Sequence, residues 1–293
     1  MNGVLVIDKP AGMTSHDVVN CIRRLLRERS VGHLGTLDPL ATGVLPLVIG
    51  RLTRLAQFYS VSEKTYEGTI RFGFATDTYD AEGQPSTPVS AARPTLDQVR
   101  TVAAQFCGVI KQVPPPFSAK KIHGVPAYRL ARKHHEVELE PVTVEIKEFE
   151  ILDMEEDQAR FRGRVASGTY MRSVAHEMGQ RLGMGAHLAG LRRTALAEFS
   201  LADARTLDQV EAAVAANEEE SLFFHPRRLL PVFPAVTATE ESAAKIRAGR
   251  AVNLPEMSPA RQVKIFYGQN QLIAIADRVA GTLFHPKVVF AGQ

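Results

Sequence analysis

Cysteine is nearly absent from this chain: two in 293 residues. Cys21 and Cys107 lie far apart and show no metal-ligand spacing, which argues against a disulfide scaffold and a cysteine-rich zinc module. Both are expected to be reduced, buried and inert. Long hydrophobic runs are missing too. No apolar stretch approaches bilayer-spanning length, and Asp8 and Lys9 interrupt the first one. Neither a membrane helix nor a signal peptide is therefore expected, and the chain reads as cytoplasmic. Several catalytic signatures are incomplete or absent. His176-Glu177-Met178-Gly179-Gln180 has glutamine where H-E-x-x-H needs its second histidine. Asp77, Asp80 and Glu82 lack the spacing of a calcium loop. Neither a Walker-type phosphate loop nor a G-x-S-x-G nucleophile elbow occurs. These gaps argue against a metalloprotease, an NTPase and a serine hydrolase, and no metal site is expected. There is no internal repeat and no low-complexity tract.

Acid is scarce in one informative place. Asp38 is the only carboxylate between Glu28 and Glu63. It sits in Gly35-Thr36-Leu37-Asp38-Pro39-Leu40-Ala41-Thr42-Gly43-Val44-Leu45-Pro46, among small and apolar residues. Pro39 biases Asp38 toward an extended backbone, and Gly35 and Gly43 permit tight turns or close approach by another chain. An acid isolated in this way is either held by a specific cation or shielded for chemistry. An Asp-Pro turn without chemistry is the plain alternative.

Apolar residues make up 45% of the chain and charged residues 23%, enough for a real core with an ordinary surface. The length suggests one large domain plus a small one, or two of moderate size. Net charge is only +3, so bulk charge does not argue for nucleic acid. Its distribution says more. From Lys111 to His135 the basic residues Lys111, Lys120, Lys121, Arg129, Arg132 and Lys133 occur with no acid, and Glu136, Glu138 and Glu140 then reverse the sign. Such a segment suits phosphate contacts; a solvated basic face fits it equally.

Patterning predicts a mixture of strands and helices. Gly3 to Ile7 reads as a strand, and Thr14 or Ser15 can cap a helix through Val18, Val19, Ile22, Leu25 and Leu26. Val44 to Ile49 reads as a buried strand, followed by a short helix around Leu52 to Tyr59. Tyr66 to Phe72, Val142 to Ile146 and Ala159 to Val165 alternate as half-buried strands, the last with Arg160, Arg162 and Arg164 on one face. Thr95 to Phe106 and Tyr170 to Leu182 read as helices. No regular βαβ repeat emerges, so the class is α+β with a mixed or largely antiparallel sheet. Pro226, Pro231 and Pro234 mark a boundary near residue 231, after which Gln262 to Tyr267 and Gln271 to Ala276 read as strands around a Gly268-Gln269-Asn270 turn.

Several segments, in order along about the first two hundred residues, resemble the motifs of the bacterial tRNA pseudouridine synthase B (TruB) family. They are Leu5 to Ser15, Gly32-His33, the Asp38 loop, Lys64-Thr65-Tyr66, Thr76 to Gly83, Pro116 to Lys121, Gly168-Thr169-Tyr170-Met171-Arg172 and Leu191-Arg192-Arg193. One such motif would be weak; their ordered succession is specific. The resemblance implies an α+β pseudouridine synthase catalytic domain over residues 1–230 with a basic RNA-clamping insertion about 111–140. It also implies a small C-terminal β-barrel of the PUA type over 231–293.

The resemblance further implies an isomerase that converts uridine-55 in the T-arm of tRNA to pseudouridine, with no cofactor, no guide RNA and no obligatory protein partner, acting as a monomer. It gives Asp38 the nucleophile's role and makes Arg172 its counter-charge, expected to lower the carboxyl's pKa as an adjacent guanidinium does. Tyr66 becomes the ring that stacks on the target base and a proton-transfer group, Tyr170 and Leu191 the pocket walls, and His33 a contact beside the flipped nucleotide. Lys120, Lys121, Arg129 and Lys133 become RNA-backbone contacts, and Lys9 a support for the catalytic loop or a phosphate contact. By residue type alone these side chains would pass as core or surface residues. Covalent attack and glycal formation are both open as routes. A non-catalytic tRNA-binding or folding protein, and an enzyme working inside a guide-RNA particle, are the competing readings.

Overall fold

A computed structural model describes residues 1–118, 121–122, 125–126 and 139–290. Strand β1 (Gly3–Lys9) lies at one end of the sheet's strand order and is followed by helix α1 (Ser15–Leu25). The helix begins where the sequence places it. The Thr14 side chain accepts from the Asp17 backbone N–H, and Asp17 reciprocates, forming a capping box. Val18, Val19 and Ile22 form its buried face. Strand β2 (Val31–His33) then pairs with β3 (Thr42–Ile49), and the Asp38 loop is the connection between them. The expected short helix is a 3-10 turn (Gly50–Leu55) running into α2 (Ala56–Tyr59).

The remaining strands are β4 (Lys64–Phe72), β5 (Gly108–Gln112), β6 (Lys121–Ile122), β7 (Val125–Pro126), β8 (Val142–Glu155), β9 (Gln158–Val165), β10 (Ala186–Leu196) and β11 (Phe199–Ser200). Helices α3 (Leu96–Ala104), α4 (Met171–Arg181) and α5 (Leu207–Ala215) lie between them or follow them. The nine-stranded sheet runs β1-β3-β10-β4-β9-β8-β5, with β2 beside β3 and β11 beside β10. Its pairs are antiparallel except β10 with β3, so the sheet is mixed.

Strand β10 has no counterpart in the sequence reading. Its segment, Ala186-His187-Leu188-Ala189-Gly190-Leu191-Arg192-Arg193, does not alternate. The ladder to β4 shifts register at Leu188/Gly190 and at Arg193/Ala195, which erases a clean period of two. Yet this strand joins the two halves of the sheet and carries Leu191 and Arg193.

A five-stranded sheet forms the tail. It is built from β12 (Ala235–Ala238), β13 (Val252–Asn253), β14 (Gln262–Tyr267), β15 (Gln271–Ala280) and β16 (Leu283–Val289), in the order β12-β14-β15-β16-β13, and helix α6 (Glu240–Arg247) packs on it. One apolar cluster spans both sheets: Val4, Val44, Val48 and Phe199 from the large sheet meet Phe266, Leu272, Ile275 and Val288 from the small one. Buried Lys264 of β14 donates to the carbonyls of Arg227 (3.0 Å) and Leu229 (2.6 Å), tying the tail to the preceding turn.

Cys107 departs from expectation. It is exposed, whereas Cys21 is half-buried. The reason is local: Cys107 and Gly108 (φ +98°) form the turn from α3 into β5, where no core faces the thiol. Among the described residues no helix is long and apolar enough to cross a membrane.

Candidate active site

The Asp38 loop is held from beneath by its neighbours' polar groups. Ser15 Oγ accepts from the Leu37 N–H (2.8 Å) and donates to the Leu37 carbonyl (3.1 Å). Lys9, fully buried, donates to the carbonyls of Pro10 (2.8 Å), Met13 (2.6 Å) and Pro39 (3.2 Å). The Gly12 N–H also reaches the Pro39 carbonyl (2.9 Å). Arg193, likewise fully buried, donates to the carbonyls of Val44 (2.7 Å), Gly35 (2.9 Å) and Thr36 (3.3 Å). Gly43 has φ +99°, and a Cβ there would lie 2.2 Å from the Arg193 carbonyl oxygen, so only glycine fits where the loop re-enters the sheet.

Asp38 projects from this loop toward Arg172, on the first turn of α4. Arg172 Nε lies 2.9 Å from Asp38 Oδ2. Arg172 is only 7% exposed, while Asp38 is 41% exposed, open toward a cavity. The guanidinium is fixed on its other side by the carbonyls of Thr78 (3.1 Å) and Phe117 (3.0 Å), and Asp80 Oδ2 lies 3.5 Å away. Asp80 is itself buried, accepting from Thr78 Oγ1 (2.6 Å) and the Glu82 N–H (3.1 Å). One arginine thus joins two carboxylates from segments far apart in sequence.

Arg172 lowers the Asp38 pKa as expected, but its pull does not decide the net shift. Burial holds the pKa above the ordinary value; Arg172 pulls it down, and the second acid, Asp80, pushes it up again. Desolvation and a like charge outweigh one cation here.

The cavity has a volume of about 460 Å³ and is lined by His33, Asp38, Lys64, Tyr66, Tyr170, Arg172 and Leu191, among others. Five elements or their ends therefore bring the sequence-predicted residues together: β2 gives His33, the loop gives Asp38, β4 gives Tyr66, the start of α4 gives Tyr170 and Arg172, and β10 gives Leu191. Burial keeps the Tyr170 phenol neutral by raising its pKa. Burial and the nearby Arg193 lower that of His33, favouring neutral imidazole. The position of Tyr170 is set by buried Gln112, which accepts from its N–H (2.8 Å) and donates to its carbonyl (3.1 Å).

Two family models match this chain. The "TruB family pseudouridylate synthase (N terminal domain)" model covers residues 23–171, and the "tRNA pseudouridylate synthase B C-terminal domain" model covers 172–236. The chain belongs to the TruB family. It is similar to the tRNA pseudouridine synthase B of Solibacter usitatus, 49% identical over 99% of this chain and 100% of that one. It is similar to the tRNA pseudouridine synthase B of Opitutus terrae at 46% identity, over 80% of this chain and 95% of that one. Among solved structures it resembles one titled "Crystal Structure of a Cbf5-Nop10-Gar1 Complex", with a TM-score of 0.74, 24% identity and coverage of 99% of this chain and 85% of that chain. That likeness supports the pseudouridine synthase fold, and the five-stranded tail is consistent with a PUA-like unit.

Within this TruB framework the structure treats the RNA-backbone residues unevenly. Lys9 directs its three ammonium donors at main-chain carbonyls beneath the loop, which leaves none for a phosphate. These bonds give Lys9 the loop-supporting role of the two expected for it. Lys120, Arg129 and Lys133 lie outside the described residues; Lys121 starts β6, and its side chain is not described. Arg160, Arg162 and Arg164 share a sheet face, as their spacing predicts, but each pairs with an acid: Asp153, Glu67, and Glu63 with Glu148.

Sequence reasoning missed Asp80, Gln112 and Arg193 as parts of the site. Asp80 and Arg193 stand inside segments that carry the family resemblance, which was the available signal. Gln112 gave none.

Proposed function

We propose that this protein isomerises a uridine in the T-arm of tRNA, uridine-55 by family resemblance, to pseudouridine. The observation that carries the reading is one half-buried carboxylate, open to the cavity and paired with a buried guanidinium, at a cavity walled by two tyrosines and a leucine. The target nucleotide leaves its stack at a cost on the order of a few kcal/mol. Stacking on Tyr66 returns roughly 1–3 kcal/mol, and phosphate contacts supply the rest. Asp38 then acts at the sugar. Either its carboxylate captures the C1′ carbon as the C1′–N1 bond breaks, or the base is eliminated to a glycal with loss of the C2′ proton. The freed uracil turns and rejoins through C5. The reaction changes no oxidation state and needs no energy input.

We assign residues 1–230 to this chemistry, with the segment about 111–140 clamping the T-arm, and 231–293 to further RNA contact. The enzyme acts on tRNA without guide RNA or protein partner. The test is an unmodified T-arm stem-loop incubated with purified protein alone. One loop uridine is converted by the wild type, and none by Asp38→Ala, which still binds the RNA. Product formation by Asp38→Ala removes Asp38 from the chemistry. Tight binding by the wild type without conversion favours a folding or carrier role.

A further inference from the structure

The cavity is electrically lopsided. At one end Asp38 and Asp80 share the Arg172 guanidinium. At the other stand Lys64 and, behind the wall, Arg193; among the described residues neither is paired with a carboxylate. Lys64 lies two residues before Tyr66 on β4, so the two side chains leave the same strand face, and both line the cavity. Its ammonium donates to the Ser62 carbonyl (3.0 Å), and its stem runs beside Gly35, where a Cβ would come 3.6 Å from Lys64 Cε. An ammonium carries three donors, so two remain. Arg193 differs. It is wholly buried and directs its donors at carbonyls of the loop and of β3, so it acts as a fixed charge behind the wall while Lys64 offers hydrogen-bond donors to what enters.

We propose that Lys64 donates a hydrogen bond to a carbonyl oxygen of the detached uracil, holding the base as its anion between cleavage and rejoining, with Arg193 as fixed positive background. This rests on the uridine isomerase reading. The C1′–N1 bond breaks with its electron pair leaving on the base. The uracil is then an anion whose charge is shared by N1, O2 and O4. The electron-poor sugar carbon stays at the Asp38 end, bonded to the carboxylate or relieved by loss of the C2′ proton. The polarity of the cavity favours this separation of charge. Rejoining forms C1′–C5, releases the C5 proton and protonates N1. In the glycal route C2′ regains its proton. Lys64 gives up no proton and turns over unchanged.

Burial and the neighbouring Arg193 push the Lys64 ammonium down to about 8, so it is charged at neutral pH and sensitive to alkali. The other titratable groups facing this cavity are Tyr66 from β4, His33 from β2, Tyr170 and Arg172 from the start of α4, and Asp38 from the loop.

Single-turnover conversion of the T-arm stem-loop tests the proposal with wild type, Lys64→Met and Lys64→Arg. Lys64→Met is expected to slow conversion of bound RNA by about 10²- to 10³-fold, as loss of a preorganised donor does, with Kd unchanged. The deficit shrinks when the target is 5-fluorouridine, whose base leaves as a more stable anion; loss of the N1-linked nucleoside is the readout for both substrates, because C5 of the fluorinated base has no proton to release. Lys64→Arg retains part of the rate and moves the alkaline limb, which begins near 8 in the wild type, to higher pH. A weakened Kd with full rate on bound RNA overturns the proposal in favour of a backbone contact. An equal deficit on both substrates overturns it in favour of packing. Should Lys64→Met fail to fold, the pH profile of Lys64→Arg decides, and an unmoved limb refutes the role. A wild-type protein that converts nothing removes the isomerase reading and this inference together.

Discussion

Asp38 must be ionised to act as a nucleophile or base, yet its surroundings favour the protonated form. Turnover should therefore rise with pH through a carboxyl pKa that lies above the ordinary aspartate value. Arg172 opposes this shift. In Arg172→Met the main opposition to burial is lost and only Lys9 still pulls the pKa down, so the acid limb moves to still higher pH while the maximal rate falls. Single-turnover rates against pH check this, and an unmoved limb would uncouple Arg172 from Asp38. The two partners were legible as residues because both stand in motif segments. The direction of the shift was not, because it depends on Asp80 arriving at the same guanidinium from a loop more than forty positions along, and on how deeply the pair is enclosed.

Among the elements, helix α4 owes its position to a side chain on another strand. Tyr170 caps the helix without a side-chain bond of its own, and Gln112 of β5 pairs with both backbone groups of that residue. Gln112→Ala should cost about 1–3 kcal/mol, since it leaves the Tyr170 N–H without its acceptor, while the carbonyl keeps the Val174 N–H. It should also reduce the rate, because Arg172 sits on the same first turn. Denaturant midpoints and turnover measured on one preparation test both parts; a loss of stability with full activity would detach the helix start from the chemistry. Strands β3, β4 and β9 and helices α1, α3 and α4 were legible within a few residues, because an apolar run, alternation, a cap or helical spacing marks each one. Strand β10 was not, because its bulges and its arginines answer to the site it builds and not to a half-buried surface.

The two sheets are not joined as beads. Phe266, Leu272, Ile275 and Val288 complete a cluster that also holds Val4, Val44, Val48 and Phe199. Removing residues 231–293 would bare the back of the strands that flank the Asp38 loop. The truncated chain should associate and lose its cooperative thermal transition, which size-exclusion chromatography and calorimetry would reveal; a monomeric fragment with a sharp melt would show the large sheet to be self-sufficient. A separate expectation concerns RNA affinity. Neutralising Lys120, Lys121, Arg129 and Lys133 together should weaken binding and flatten its dependence on salt, because fewer counterions are released. An unchanged slope would take that segment out of the interface. Proline spacing indicated a boundary near residue 231, but not that the core crosses it, since a shared cluster leaves no local period.

The Asp38 loop is bonded through its own main chain to Ser15, Lys9 and Arg193 before any RNA is present. Ordering a free loop on binding would consume about 1–2 kcal/mol for each residue fixed. Here that ordering belongs to folding. Calorimetry of T-arm binding should accordingly show little of the heat-capacity change that accompanies coupled folding at this loop. What must deform there is the nucleic acid: the protein meets it as a mould already set.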